Sequence, residues 1–162
     1  MSQDLVEVLE RFRRGAEILA VVLTGLGPEE ADFVPDGGGW SIRQVMAHLA
    51  DAEVVGAYRF RLLVAEDNPR IMAFDQDAWA RNLDYARRKP AQSLDSFRRA
   101  RAENYELLKD LAPAAWDRAG IHSELGAVTV RGLLETYADH AVGHARQLQR
   151  LRDEYKKAKG KK

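Results

Sequence analysis

The chain has 162 residues, 31% of them charged, with 25 basic and 25 acidic side chains and no cysteine. Such a length suits one domain around one core, and the balanced charge disfavours a dedicated nucleic-acid binder, which needs a basic surplus on its binding face. Without cysteine there are no disulfides, thiolate metal sites or cysteine nucleophile. The N-terminal segment carries acidic residues at once and has no apolar signal core. The longest apolar stretch, Ile18 to Leu26, is too short to span a bilayer. A cytoplasmic protein with no membrane partner is expected.

Helical periodicity dominates, with little strand-like alternation. A first helix is predicted from about Asp4 to Thr24, with Leu5, Val8, Leu9, Phe12, Ala16 and Leu19 on one face; Gly25 and the Gly27-Pro28 pair stop it. A second starts at Ser41, which forms a capping box with Gln44, while Trp40 can staple onto Val45. It runs to about Ala65, before Asn68-Pro69. The connection from Asp67 to Pro90 is long enough to carry a function or structure of its own. Phe74, Trp79, Leu83 and Tyr85 predict a short helix or lid there, folded back on the bundle. A third helix spans about Ser93 to Leu111, followed by a short turn at Pro113 to Trp116. A loop with His122 and Gly126 leads to Thr129, the N-cap of a fourth helix reaching Tyr155. Lys156 to Lys162 reads as a frayed basic tail outside a single bundle domain spanning 1–155. Four long amphipathic helices make an all-α four-helix bundle. Helices one and two, and three and four, are expected as neighbours joined by short connections.

Four histidines occur: His48, His122, His140 and His144. His140 and His144 are one turn apart on one face of the fourth helix, so both imidazoles can reach one ion. That helix has an apolar stripe including Val130, Leu133, Leu134, Tyr137, Ala141 and Leu148, and the two histidines flank it, away from Glu135, Asp139, Arg146 and Arg150. His48 flanks the stripe of the second helix in the same way, beside Val45 and Ala52. Imidazoles turned toward a bundle seam need partners. A shared divalent ion satisfies all three and leaves an open position, as in catalytic sites. Periodicity alone leaves equally open that each ring has its own local hydrogen bond.

The stretch from Trp40 to Glu53 resembles the second-helix motif of the DinB-like superfamily, also called DinB/YfiT-like metalloenzymes. The stretch Gly120-Ile121-His122, Gly126, Thr129, Leu133, Leu134, His140, His144 and Gln147-Leu148 resembles its C-terminal motif, and Phe74 to Leu111 is similar as well. The resemblance implies a four-helix bundle of unusual helix order. It also implies a metal triad of His48, His140 and His144 holding one divalent ion, nickel or zinc, and a homodimer. The activities it implies are transfer of a low-molecular-weight thiol to an electrophilic small molecule, with that thiol as cosubstrate, or metal-dependent hydrolysis. A non-catalytic metal-binding, stress-related protein is the reading of another class. The family often has an acidic or amide residue just after the penultimate histidine, where this chain has Ala141.

A small-molecule pocket near the triad is expected to draw on Arg59, which can attract an anionic substrate, on Asp75 and Trp79 as a roof, and on Tyr137 and Gln147, one turn from the triad. His122 is assigned a loop-fixing hydrogen bond. No phosphate loop or dinucleotide fingerprint is present; Gly37 to Gly39 precedes no strand–helix unit.

Overall fold

Ser41 and Gln44 cap each other as their spacing requires: the Ser41 hydroxyl accepts from the Gln44 amide, and the Gln44 side chain accepts from the Ser41 amide. From this start α4 runs Ile42–Ala65 in a computed structural model that describes residues 2–160. Before it come α1 (Gln3–Arg13), α2 (Gly15–Val22) and α3 (Pro28–Asp32). After it come β1 (Arg70–Ile71), α5 (Gln76–Asn82), a 3-10 turn (Tyr85–Arg87) and α6 (Pro90–Leu108). A second 3-10 turn (Pro113–Asp117), β2 (Ala119–His122), β3 (Gly126–Thr129) and α7 (Val130–Lys159) complete the chain. Thr129 caps α7 by accepting from the Gly132 amide.

The molecule is a four-helix bundle of unusual helix order, as the resemblance implies, and it departs only from the neighbours expected from the connection lengths. α1 and α2 together form the first long element, and they pack on α6 and α7; α4 also packs on α6 and α7. The first long element and α4 therefore sit diagonally, as do α6 and α7, while the neighbours α4 and α6 are those joined by the long connection. Two connections make this possible. Residues 23–41, with α3, and residues 109–129, with the β2–β3 hairpin, are each long enough to cross the bundle.

Three further expectations are corrected. The first helix is interrupted at Arg14, between α1 and α2. There the Phe12 carbonyl accepts from the Arg101 guanidinium, and Gly15 lies so close that a Cβ would stand 2.9 Å from Arg101 and 3.0 Å from Ala141. A small sheet, unpredicted, pairs β1 parallel to β2 and β2 antiparallel to β3. Its strands are too short for periodicity to reveal. The basic tail continues α7 to Lys159, with the Lys159 ammonium on Glu29; Lys161 and Lys162 lie outside the described residues. No helix among the described residues is long and apolar enough to cross a membrane.

The core has two apolar layers, one around Phe12, Phe60, Trp116 and Leu134, the other around Leu19, Met46, Phe97 and Leu148. Between them Arg101 and Glu53, each 1% exposed, make a paired salt bridge at 2.8 and 2.7 Å. Arg101 also donates to the Phe12 and Tyr137 carbonyls and lies between the Phe12 and Phe97 rings, 3.9 and 4.6 Å from their centroids. Asn104 donates to Glu53 and accepts from Arg61. A charge this deep is tolerable only when so fully partnered.

Candidate metal centre

His48 comes from the second turn of α4; His140 and His144 come from successive turns of α7. Because α4 and α7 are packed neighbours, the three rings meet. His140 Nε2 lies 3.2 Å from His48 Nε2 and 3.1 Å from His144 Nε2. One ligand atom from each of the three lies within 4.8 Å of the others.

The donor set fits a divalent cation. Burial pushes the His48 imidazolium down to about 4, with His144 adding to the effect and Asp51 opposing it. Burial, then His144, His48 and Arg101, lowers His140 to about 3. His144 is lowered by burial against the contrary pull of Gln147. All three are therefore neutral, with lone pairs to give. His144 Nδ1 donates to Gln147 Oε1 at 2.7 Å, which leaves His144 Nε2 unprotonated and facing the other rings. Three facing nitrogens offer more acceptors than protons, and a shared cation resolves the mismatch. Tetrahedral zinc with Zn–N bonds of ~2.0–2.1 Å sets its nitrogens ~3.3 Å apart, close to the spacings seen here.

Aromatic rings wall the centre. Trp40 stands 5.2 Å from His48, ring centre to ring centre, and Phe74 stacks on His48 at 6.5 Å. Trp79 backs Phe74 at 4.6 Å. The connection carrying Phe74 and Trp79 is pinned to α4 by Asp51, which accepts from the Tyr85 hydroxyl at 2.8 Å and from Arg88 at 2.6 Å. His48 Nδ1 is buried and has no hydrogen-bond partner among the described residues.

A cavity of about 160 Å³ opens beside the triad, lined by His48 and His140 at one end and by Arg59, Phe74, Thr136 and Tyr137. Tyr137 fits against α4 because position 56 is glycine: a Cβ there would stand 2.4 Å from the tyrosine ring. Burial raises the Tyr137 phenol to about 12, with the Arg59 charge beside it opposing the rise.

The sequence-derived candidates separate on this geometry. His48, His140, Arg59 and Tyr137 line the cavity, whereas His144 joins the triad without lining it and Gln147 bonds to His144. Trp79 stands behind Phe74 and does not line the cavity. Asp75 is a correction: it is exposed and caps α5 by accepting from the Ala78 amide at 2.8 Å. The roof residues in its place are Phe74 and Gln76. His122 Nδ1 accepts from the Glu124 and Leu125 amides, closing the β2–β3 turn away from the triad. Sequence reasoning passed over Phe74 as a cavity residue and Arg101 altogether. An apolar ring in a connection and one arginine among many carry no spacing signal.

Fold and site together define a helical-bundle protein with a three-histidine pocket of the metal-binding type. The chain belongs to the DinB superfamily, whose family model matches residues 11–148. It is 32% identical over 128 residues to a protein of Oceanobacillus iheyensis named "Putative metal-dependent hydrolase", covering 78% of this chain and 73% of that one. It is 26% identical over 152 residues to Bacillus subtilis "Putative metal-dependent hydrolase YfiT", covering 91% and 82%. The solved YfiT structure, described as having an unusual four-helix bundle topology, superposes with a TM-score of 0.82 at 25% identity, over 93% of this chain and 89% of that one.

Proposed function

We propose that this protein is a metal-dependent hydrolase of a small molecule, with one divalent ion held by His48, His140 and His144. The convergence of three neutral Nε2 atoms, at 3.1 and 3.2 Å, carries this reading. A divalent ion there supplies Lewis acidity, polarising a carbonyl and bringing the pKa of water near 7. The chain's own residues supply the rest. Gln147 holds the proton of His144 on Nδ1. Phe74 and Trp40 shield the centre from bulk water. Tyr137 keeps its proton at neutral pH and can donate it in a hydrogen bond to a substrate oxygen.

Hydrolysis is favoured over thiol transfer by the hydrolase name that the relatives carry.

Elemental analysis of wild type against His140→Ala tests the centre. One equivalent of a divalent ion in wild type and none in the variant is expected; equal metal in both removes the reading. Hydrolysis of p-nitrophenyl esters by the loaded protein, with glutathione and a model electrophile in a parallel assay, tests the reaction. Thiol consumption above background without ester hydrolysis replaces the hydrolase by a thiol transferase.

A further inference from the structure

Arg59 follows His48 by eleven residues on α4, about three turns, so both share one face of the helix. Its side chain is half buried and lines the cavity that His48 and His140 close at the other end. One Nη donates to the Met72 carbonyl at 2.7 Å, the guanidinium faces Phe74 at 6.0 Å, and Nε is buried without a hydrogen-bond partner. Among the described residues no carboxylate pairs with Arg59, and neither Asp nor Glu lines the cavity. Other interior arginines of this chain behave differently: Arg101 is matched by Glu53 and Arg152 by Glu30.

The charge balance of the cavity is therefore one-sided. Arg59 contributes a full positive charge that no side chain returns, and three neutral imidazoles leave the charge of any ion they hold uncompensated. A cleft of one sign concentrates ligands of the other, and a guanidinium is the donor best shaped to hold a carboxylate. The guanidinium, with one Nη on the Met72 carbonyl and the Tyr137 phenol beside it, has a planar pair of donors to spare, the match for the two oxygens of a carboxylate. Phosphate sites gather several donors, and among the described residues no second Lys or Arg lines the cavity.

We propose that the substrate is a small carboxylate, its anionic group held at Arg59 and its reacting group directed toward the three histidines. Arg59 is then the specificity-determining residue of the cavity. This rests on the metal-centre reading only for the second half of the statement, where the reacting group sits.

Benzoate and benzamide, one charged and one neutral at almost equal size, are suitable probes. Titration of the zinc-loaded protein, followed by calorimetry, is expected to give at least tenfold tighter binding of benzoate. Arg59→Gln should abolish the difference by weakening benzoate alone, with zinc content and Tm unchanged, and Arg59→Lys should restore part of it. The same titrations on protein stripped with EDTA, followed by NMR of the Tyr137 region, should retain the Arg59-dependent preference. That arm separates the two readings, because it gives its answer even if the protein takes up no zinc. Equal benzoate affinity in wild type and Arg59→Gln, loaded and stripped, overturns the proposal, since the carboxylate is then held elsewhere. Failure of wild type to bind benzoate at millimolar concentration overturns it as well.

Discussion

Gln147→Leu isolates the support of the candidate metal centre from its three histidines. The Gln147 carbonyl oxygen receives the Nδ1 proton of His144 at 2.7 Å, fixing both the tautomer and the ring plane. Leucine keeps the volume on α7 and removes the acceptor. Loss of such a partner costs 10–100-fold in metal affinity, or about 1.4–2.7 kcal/mol. The lower end is expected here, because His144 is only partly buried and water can take over its Nδ1 proton. Zinc affinity, measured by competition with a chelator of known strength, should therefore weaken about tenfold. Gln147→Glu keeps an oxygen in place and should stay near wild type. Gln149→Leu, whose side chain bonds only to exposed Asp153, should change nothing. Urea unfolding of the metal-free variants should match wild type within ~0.5 kcal/mol, as for a surface substitution. Unchanged zinc affinity in Gln147→Leu, alongside loss of zinc in His140→Ala, would refute the claim that this hydrogen bond orients a ligand.

Arg101→Met leaves the Glu53 carboxylate buried with Asn104 alone, and should cost about 3–5 kcal/mol in urea unfolding. The double variant Glu53→Gln with Arg101→Met should lose clearly less than the sum of the single losses, and strict additivity would contradict the pairing. Gly56→Ala, favourable by up to ~1 kcal/mol in an open helix, should instead destabilise by ~1–3 kcal/mol, since the new methyl meets the Tyr137 ring; a rise in Tm would show that ring free to move. Burial first, and then the Arg59 charge, lowers the His122 pKa below 6.5 in the fold. The unfolded chain thus takes up this proton first, so the stability from His122 is present above pH 6.5 and is lost as pH falls through the folded-state value. An NMR titration of His122 should give a midpoint under 6.5, and a midpoint at or above 6.5 would reverse the sign.

Much of the site was legible in the sequence for one reason: helical spacing converts directly into faces. Ser41 and Gln44 announce the start of α4, and from that start the position of His48 relative to Val45 and Ala52 follows. His140 and His144 follow likewise from Thr129. What spacing does not encode is which helices touch. The expected one–two and three–four neighbours fail because pairing depends on what the loops can span, and α3 and the β2–β3 hairpin turn those loops into crossings. Asp75 was misplaced for a related reason. An acidic residue in a connection reads equally as a pocket group and as a helix cap, and only the start of α5 decides between them. The β1–β2 pairing joins residues fifty-one positions apart through a two-residue strand, too short to leave a pattern.

The buried salt bridge fixes the geometry of the three-histidine group. Glu53 lies five residues beyond His48 on α4, about 7.5 Å along the axis, and Tyr137 lies three residues before His140 on α7, about 4.5 Å. Arg101, from α6, binds the Glu53 carboxylate and the Tyr137 carbonyl at once. A single guanidinium with rigid geometry thereby fixes how far α7 can slide along α4. A slide of one residue would carry His140 ~1.5 Å along the axis and rotate it ~100° out of the seam, away from His48. Apolar side chains alone would tolerate such adjustment, because their attraction has little direction. The charged layer does not, since any shift strands a buried carboxylate. The register that brings three imidazoles from two helices to one point is set about one turn below them, by a residue on a third helix that makes no hydrogen bond to any of them.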